Sequence, residues 1–350
     1  MIDFTNCPQL VNTYEGADFK HKIVYDGDIY MLKFGQKLES DEKKPLQASY
    51  SSSPVSEYLG SHIYGIAGIP VQETMLGTFD GKVVVACKDF IAGLPNADNL
   101  ALVEFKKLEN SFLGSSTAGG RTPLYDNLVS IFASHKDIGS IREAAEDRYW
   151  KMFGVDALIG NFDRHAGNWG YILDKTKNEI IGLAPVYDCG SCFYPQLNED
   201  AMKDLLADRG SFEKRNLTFP TAALRIGKKK VNYHDFLLSP EGEKARSAIG
   251  ELLPKIDFDK IEQLIGQIPY ISDVRREFYA HMITLRKDLI LQPAYELYRE
   301  EHGLEMVQNH SEQAHDISLK SEASAARAAS KALDELNDHS EPSRDRGQDR

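Results

Sequence analysis

Hydrophobic and polar residues follow a strand-like pattern up to about residue 90. Turn signals of the Asp-Gly type separate short β-rich runs, which are Lys22–Tyr25, Ile29–Phe34 and Lys82–Cys87. One helix interrupts them, because Val55, Leu59 and Ile63 recur at every fourth position. Ser53 suits the N-cap of this helix, and Pro54 suits its first turn. The pattern predicts a small β-rich unit that carries one helix.

After Ala101 the spacing of apolar residues becomes helical. The predicted helices are Leu102–Phe112, Ile141–Ile159, Tyr233–Leu238, Phe258–Ile268 and Val274–Leu297. A hairpin is embedded among them, since Tyr171–Leu173 and Ile180–Leu183 flank a polar turn. From Ser311 onward the chain has little to bury, and we expect a solvated tail.

These patterns predict a two-lobed α+β fold. The predicted boundaries are a β-rich lobe over residues 1–92, a mainly helical lobe over 93–302 and a tail over 303–350. A nucleotide can be trapped where two such lobes meet. We therefore expect the residues that carry chemistry to lie along that junction.

Charge and composition narrow the class of protein. The 350 residues include 41 Lys and Arg against 53 Asp and Glu, for a formal net charge of -12, which disfavours nucleic acid or a membrane as the main partner. No apolar stretch approaches the roughly 18–20 residues that span a bilayer, and residues 1–10 lack a signal-peptide pattern. Four scattered cysteines do not make a disulfide framework. We expect a cytoplasmic protein with reduced thiols.

The densest polar cluster follows the helix that ends near Ile159. Asp163 and Asn168 are five positions apart, which is the spacing of the substrate-orienting Asp and the magnesium-binding Asn in protein kinases. An anionic Asp can accept a hydroxyl proton, and a neutral amide oxygen binds a hard cation without adding charge beside phosphates. His165, between them, is a further catalytic candidate that we expect to brace this loop by hydrogen bonding.

A second acidic position follows the embedded hairpin. The apolar run from Leu183 ends at Asp188, and Gly190 permits a sharp turn. Protein kinases place their second metal ligand at the corresponding point. The sequence therefore predicts Asn168 and Asp188 as the magnesium ligands.

Lys33 is the candidate phosphate-binding cation. It shares a strand face with Ile29 and Met31, so its ammonium lies in an apolar row and needs an anionic partner. Nucleotide phosphates and Glu57 can both serve, as in the Lys–Glu pair of kinases. The alternative interpretation is an edge-strand lysine that reaches solvent.

Two further segments are candidate nucleotide contacts. The turn from Tyr14 to Lys22 could cover phosphates, and its candidate residues are Gly16, Ala17, Lys20 and Lys22. After Cys87 the chain has the position of a connector between lobes, whose backbone could pair with an adenine edge. The connector residues are Lys88, Asp89, Phe90 and Ile91.

Cys189 and Cys192 have the spacing of a redox or zinc motif. A zinc site needs about two more ligands of similar spacing, and a thioredoxin-like site needs a βαβ setting that a helical half does not offer. We expect no metal or redox role for this pair. The basic runs Arg275-Arg276 and Lys228–Lys230 are expected on solvated faces.

Two segments resemble the signature of the HipA-like serine/threonine kinases, a bacterial family of toxin kinases: Leu158-Ile159-Gly160-Asn161-x-Asp163-x-His165-x-x-Asn168 and Pro185-x-Tyr187-Asp188. The first also resembles the catalytic loop of phosphoinositide kinases. The resemblance is clear from about Trp150 to Pro195 and looser for Tyr14–Phe34. Because the glycine-containing loop begins near Tyr14, the chain is similar to the compact members of the family.

The resemblance implies a protein-kinase-like fold, ATP and Mg²⁺ as cofactors, and a protein hydroxyl as acceptor. Lys33 and Glu57 would hold the nucleotide phosphates, Asn168 and Asp188 would bind magnesium, and Asp163 would orient the hydroxyl. An antitoxin partner and action on the translation machinery are further implications of the resemblance.

Two alternatives stay open. A kinase acting on a phosphoinositide or another small alcohol is suggested by Asp163-Arg164-His165, although the acidic composition counts against a lipid substrate. A catalytically silent binding module would keep the fold and dock a partner. Such a module has no physical need to retain Lys33, Asp163, Asn168 and Asp188 together.

Overall fold

The computed structural model describes residues 2–11, 20–36, 52–114 and 122–304. The chain divides into two units, Met1–His302 and Gly303–Arg350. Only Gly303 and Leu304 of the second unit are among the described residues, so the predicted tail lies almost wholly outside them. Within the described ranges, no helix is long and apolar enough to cross a bilayer.

A six-stranded sheet forms the first part of the main unit. Its strands are β1 (Ile2–Asp3), β2 (Gln9–Leu10), β3 (Lys20–Tyr25), β4 (Asp28–Phe34), β5 (Thr74–Phe79) and β6 (Lys82–Lys88). Their order is β1-β5-β6-β4-β3-β2, with β1 and β5 parallel and the other pairs antiparallel. The predicted runs within β3, β4 and β6 are confirmed as neighbouring strands.

Helix α1 (Ser53–Ile66) packs on one face of this sheet. Successive strand residues point to opposite faces, and β6 uses both: Val84 and Ala86 join a small core with Phe4, while Val85 and Cys87 join the main core that contains α1. The N-cap residue is Ser52, not Ser53 as predicted, and it makes no side-chain cap bond. Its hydroxyl instead donates to the carbonyl of Pro195, 3.1 Å away, and so is used between elements.

The second part of the unit is mainly helical. Its helices are α2 (Phe105–Phe112), α3 (Tyr125–Ser134), α4 (Arg142–Ile159), α5 (Glu199–Ala207), α6 (Arg209–Thr218), α7 (Tyr233–Leu238), α8 (Glu243–Leu252), α9 (Phe258–Gln267), α10 (Asp273–Arg286) and α11 (Gln292–Glu301). A π-helical segment, Lys287–Leu291, joins α10 to α11, and 3-10 turns occur at Ala97–Asn99, Lys136–Ile141, Pro240–Gly242 and Leu253–Lys255. The strands are β7 (Leu100–Glu104), β8 (Gly170–Asp174), β9 (Glu179–Leu183), β10 (Thr221–Ile226) and β11 (Lys229–Asn232).

The embedded hairpin is confirmed as β8 and β9, which extend into a three-stranded sheet of order β7-β8-β9. The helix predicted from Leu102 is wrong over its first residues, because Leu100–Glu104 pairs with β8 and only Phe105–Phe112 is helical. The β10–β11 hairpin is an addition that helical spacing did not predict.

Helix α4 lies at the centre of the main core, and every residue from Met152 to Ile159 is buried. Lys228–Lys230 is exposed as predicted. The expectation for Arg275 is wrong, because its side chain is buried and donates to the carbonyl of Leu197 at 2.9 Å. Helix α10 packs against α4, α5, α6 and α9, and Arg275 lies on a packed side of it, where its guanidinium meets a backbone acceptor instead of water.

Candidate active site

Lys33 joins the two parts of the unit. It lies on β4, on the face opposite to that of the buried residues Tyr30 and Leu32. Its Nζ is 3.1 Å from Oε2 of Glu57 on α1 and 3.0 Å from Oδ1 of Asp188. The predicted pairing with Glu57 is thus present. Only 18% of the Lys33 side chain is exposed, which disfavours the interpretation of an edge lysine in solvent.

The three charges at this junction differ in their access to water. Burial alone would lower the pKa of the Lys33 ammonium, but Asp188 and Glu57 outweigh it and hold that pKa well above its ordinary value. The side chain of Glu57 is 2% exposed, and its Oε1 has no hydrogen-bond partner among the described residues. The Asp188 side chain is 44% exposed. Asp188 is therefore the carboxylate that a bound cation can reach.

The candidate catalytic loop begins at Gly160, which follows the last residue of α4 and caps the helix in the left-handed conformation (φ +64°). The buried Asn161 fixes the start of the loop: its Oδ1 accepts from the backbone N–H of Asp163 at 3.1 Å, and its carbonyl accepts from the Tyr233 hydroxyl at 2.6 Å. Asn168 closes the loop by donating its amide Nδ2 to the carbonyl of Asp163, 2.8 Å away. Asp163 and Asn168 are therefore brought together as predicted.

His165 braces this loop. Its backbone N–H donates to the carbonyl of Asp163 at 2.7 Å, and its ring Nδ1 accepts from the backbone N–H of Gly167 at 3.0 Å. Because Nδ1 accepts, the neutral ring carries its proton on Nε2. The structure thus gives His165 the hydrogen-bonding role that the sequence predicts.

The structure describes only some of the other predicted nucleotide contacts. Gly16 and Ala17 lie outside the described residues, and Lys20 is described only as the first residue of β3. Lys22 lies 3.8 Å from the carboxylate of Asp89.

The predicted connector begins at Lys88, the last residue of β6. The backbone N–H of Lys88 donates to the carbonyl of Glu73, and that of Asp89 donates to the carbonyl of Ile29. Both groups are thus engaged within the protein. The ring of Phe90 lies 6.0 Å from that of Tyr187, one residue before Asp188. Adenine contact by Lys88, Asp89, Phe90 or Ile91 stays a prediction.

The donor set fits magnesium held jointly with a nucleotide. Since the amide nitrogen of Asn168 is engaged, its oxygen is the atom left for a metal, and Asp188 offers an accessible carboxylate. Mg²⁺ is commonly held by one or two protein oxygens plus substrate phosphates. The described part of the chain contains no group of three His, Cys, Asp or Glu side chains that could hold a metal by itself. Cys189 and Cys192 are buried free thiols, and burial raises the pKa of Cys189 to about 12.

Sequence reasoning missed the buried residues that hold the loop. Arg164 and Asp156 form an ion pair with Nε to Oδ2 at 2.9 Å, and Tyr64 of α1 donates its hydroxyl to Asp156 Oδ1 at 2.8 Å. The sequence contains one indication of this ion pair, because Asp156 is an acidic residue within the apolar run from Phe153 to Ile159. A charge at such a position requires a buried partner.

Comparison with known proteins places this geometry in a family. The sequence profile of the HipA-like C-terminal domain matches residues 14–256. This chain belongs to that family. It is 34% identical over 299 residues to the serine/threonine-protein kinase CtkA of Helicobacter pylori strain J99, with coverage of 84% of this chain and 87% of the relative.

A solved structure of CtkA agrees with the sequence comparison. The crystal structure of the proinflammatory kinase CtkA of Helicobacter pylori matches with a TM-score of 0.76 and 32% identity, over 85% of this chain and 98% of that one. The fold is therefore kinase-like, as predicted. A HipA chain of Shewanella oneidensis, solved with HipB and operator DNA, matches with a TM-score of 0.48 and 15% identity, over 83% of this chain and 67% of that one.

Proposed function

We propose that this protein transfers the γ-phosphoryl group of ATP, with magnesium, to a serine or threonine hydroxyl of another protein. Membership of the HipA-like family and the likeness to CtkA in sequence and structure make the chain a protein serine/threonine kinase. The observation that carries the proposal is the Lys33 ammonium held between Glu57 and Asp188. The Lys33 ammonium and the accessible Asp188 carboxylate are 3.0 Å apart, which supports a phosphate-binding cation beside a carboxylate that would bind the metal.

The roles follow from charge and position. Lys33 is a fixed cation for the α and β phosphates, and Glu57 orients it. Magnesium, when bound, neutralises charge on the β and γ phosphates, and Asn168 and Asp188 would hold it. The carboxylate of Asp163 would accept the proton of the attacking hydroxyl while keeping its oxygen in line with the phosphorus. Catalysis would rest on positioning and charge stabilisation.

The wider setting is also a proposal. The described cysteines are all free thiols, which fits action in the cytoplasm. A protein substrate follows from the enzyme class. A partner of the antitoxin type and action on the translation machinery stay predictions from the family resemblance.

Phosphate transfer from γ-labelled ATP tests the proposal. A generic basic protein and phosphoinositide vesicles should be offered in parallel, with magnesium present. We expect label on serine or threonine of the protein. Asp163→Asn should reduce it by roughly 10²- to 10⁴-fold, as expected for loss of a general base.

Asp147→Asn is the matched control, because Asp147 lies on the surface of α4 with its side chain 51% exposed. It should transfer phosphate at the wild-type rate. Label on the vesicles alone would favour the phosphoinositide alternative, and label on neither acceptor would favour the silent module.

A further inference from the structure

Arg164 lies between two candidate catalytic residues, yet its side chain is turned into the protein and only 5% exposed. A buried guanidinium is costly unless its donors are paired. Asp156 accepts from both sides of it, with Nε to Oδ2 at 2.9 Å and Nη2 to Oδ1 at 3.2 Å. Burial would lower the pKa of Arg164, but Asp156 outweighs it and keeps that pKa well above its ordinary value. Arg164 is therefore a permanent buried cation.

The remaining donors of Arg164 connect the two segments that carry the candidate metal ligands. Nη1 donates to the carbonyls of Asn168, at 2.9 Å, and of Tyr187, and it lies 3.5 Å from the carbonyl of Asp188. Nη2 reaches the Sγ of Cys189 at 3.4 Å. One planar group thus contacts the backbone of Asn168 and of the Tyr187–Asp188 segment, and the side chains of Asn168 and Asp188 are the proposed ligands.

The backbone at Asp188 has reason to need such a contact. Its φ of +60° lies in the left-handed region, which non-glycine residues seldom adopt and which persists only where the surroundings enforce it. Arg164 contacts the carbonyls of Tyr187 and Asp188, one on either side of the Asp188 Cα, from the side of the catalytic loop.

The pair is in turn tied to α1. Tyr64 donates its hydroxyl to Asp156 Oδ1 at 2.8 Å. Tyr64 and Glu57 are seven residues apart on the same helix, so they lie on one face, two turns apart. Helix α1 thus contacts the site twice, through Glu57 to Lys33 and through Tyr64 to the Asp156–Arg164 pair.

We propose that Arg164 is a positioning residue that sets the spacing of the two magnesium ligands, and that Asp156 and Tyr64 hold it in place. The inference rests on the proposed function for the identity of the metal and the nucleotide. The positioning role itself is a separate claim, namely that magnesium affinity is set by a buried cation that touches neither metal nor phosphate.

Magnesium titration with ADP tests this without requiring turnover. The full chain is titrated with Mg²⁺ at saturating ADP, and the rise in melting temperature gives the half-saturating concentration. Arg164→Lys keeps the charge but loses the planar fork. It should raise that concentration by roughly 10- to 100-fold, as for other residues that support metal ligands. Tyr64→Phe removes one donor and should raise it by about two- to tenfold.

Tyr279→Phe is the matched control. Tyr279 is also buried and its hydroxyl lies 3.3 Å from the Arg275 guanidinium, but it makes no hydrogen bond to Asp156. The half-saturating Mg²⁺ concentration of Tyr279→Phe should equal that of the wild type, even if the two proteins differ in melting temperature without ligand. Combined with Arg164→Lys, Tyr64→Phe should be non-additive and Tyr279→Phe additive.

The outcomes separate the two proposals. Folded Arg164→Lys and Tyr64→Phe with magnesium affinity within twofold of the wild type would overturn the positioning role, as would an equal shift in Tyr279→Phe. If Arg164→Lys does not fold, Tyr64→Phe decides. If the wild type binds Mg²⁺ and ADP and the variants show these shifts, but the wild type transfers no phosphate, the result would reject the kinase proposal and keep the positioning role of Arg164. A wild type without any response to Mg²⁺ and ADP would overturn both.

Discussion

At the scale of single residues, the site depends on compensated charge. The Lys33 ammonium is compensated by Glu57 and Asp188, and Glu57, at 2% exposure, depends most on Lys33 as its partner. Removing one member of a buried pair leaves an uncompensated charge, whereas removing both need not be costly. The effects of these residues on stability and on phosphate transfer can therefore be measured separately, by removing one member of the pair or both.

Lys33→Met should lower the free energy of unfolding by about 3–5 kcal/mol, because the Glu57 carboxylate is left unpaired. Lys33→Met combined with Glu57→Gln should recover most of that loss, since a neutral amide tolerates burial better. Neither variant should transfer phosphate. Urea unfolding and an ATP-dependent transfer assay measure the two effects, and a double variant no more stable than Lys33→Met would contradict the argument.

The same pair predicts a pH dependence. The folded-state pKa of Lys33 is raised above the ordinary value of 10.5, so its stabilising contribution is complete below that pH and declines as pH rises through the folded-state pKa. The stability difference between wild type and Lys33→Met should thus be the same at pH 7 and pH 9, and smaller above about pH 10.5.

The sequence indicated Glu57 as a partner of Lys33, because a lysine in an apolar row must be neutralised, but it did not indicate the contact with Asp188. It could not indicate the inward turn of Arg164. Adjacent loop residues point to different sides according to local φ and ψ, and no period relates Asp163, Arg164 and His165. The Asp156 charge within α4 was the one local sign of a buried acceptor.

At the scale of elements, α1 is held against the turn that follows Asp188. A Cβ on Gly60 would lie 2.7 Å from the Cβ of Cys189 and 3.0 Å from the Sγ of Cys192. Cys192 also donates its thiol to the carbonyl of Ser56, 3.1 Å away. The absence of a side chain at Gly60 lets α1, which carries Glu57, approach the turn that follows Asp188.

Gly60→Ala should therefore destabilise the protein by about 1–3 kcal/mol through overpacking, and reduce phosphate transfer because α1 is displaced. Gly65→Ala is the matched control on the same helix, since its nearest neighbour would be Val71 Cγ1 at 3.9 Å. It should be neutral or stabilising by up to about 1 kcal/mol. Equal effects of the two substitutions in urea unfolding would show that the close approach at Gly60 has no special role.

The type of element was predicted correctly where the hydrophobic pattern extended over a long segment. Helix α4 and the β8–β9 hairpin were predicted from the sequence, since each has a pattern that only one structure satisfies. Leu102 and Val103 were assigned to a helix, yet they pair with Ile172 and Tyr171 of β8. A short apolar run suits either state, and a strand partner about 70 residues away decided it.

At the scale of the whole molecule, chain connections bring the site together. The segment leading to Asp188 pairs with the chain after α1: Gln72 N–H donates to the Val186 carbonyl at 2.8 Å, and Val186 N–H donates to the Pro70 carbonyl at 2.9 Å. The two-lobed order was predictable from the change of period along the chain. The division at residues 92 and 93 stays a prediction.

The central claim is that Lys33, Asp163, Asn168 and Asp188 converge on one metal-bound triphosphate. A crystal structure with Mn²⁺ and a non-hydrolysable ATP analogue tests it, because the anomalous signal of manganese locates the metal independently of the protein. We predict a peak within coordination distance of the Asp188 carboxylate and the Asn168 amide oxygen, with the Lys33 ammonium on the phosphates and the γ-phosphate facing Asp163. A manganese peak held by other residues, or a nucleotide bound away from Lys33, would contradict it.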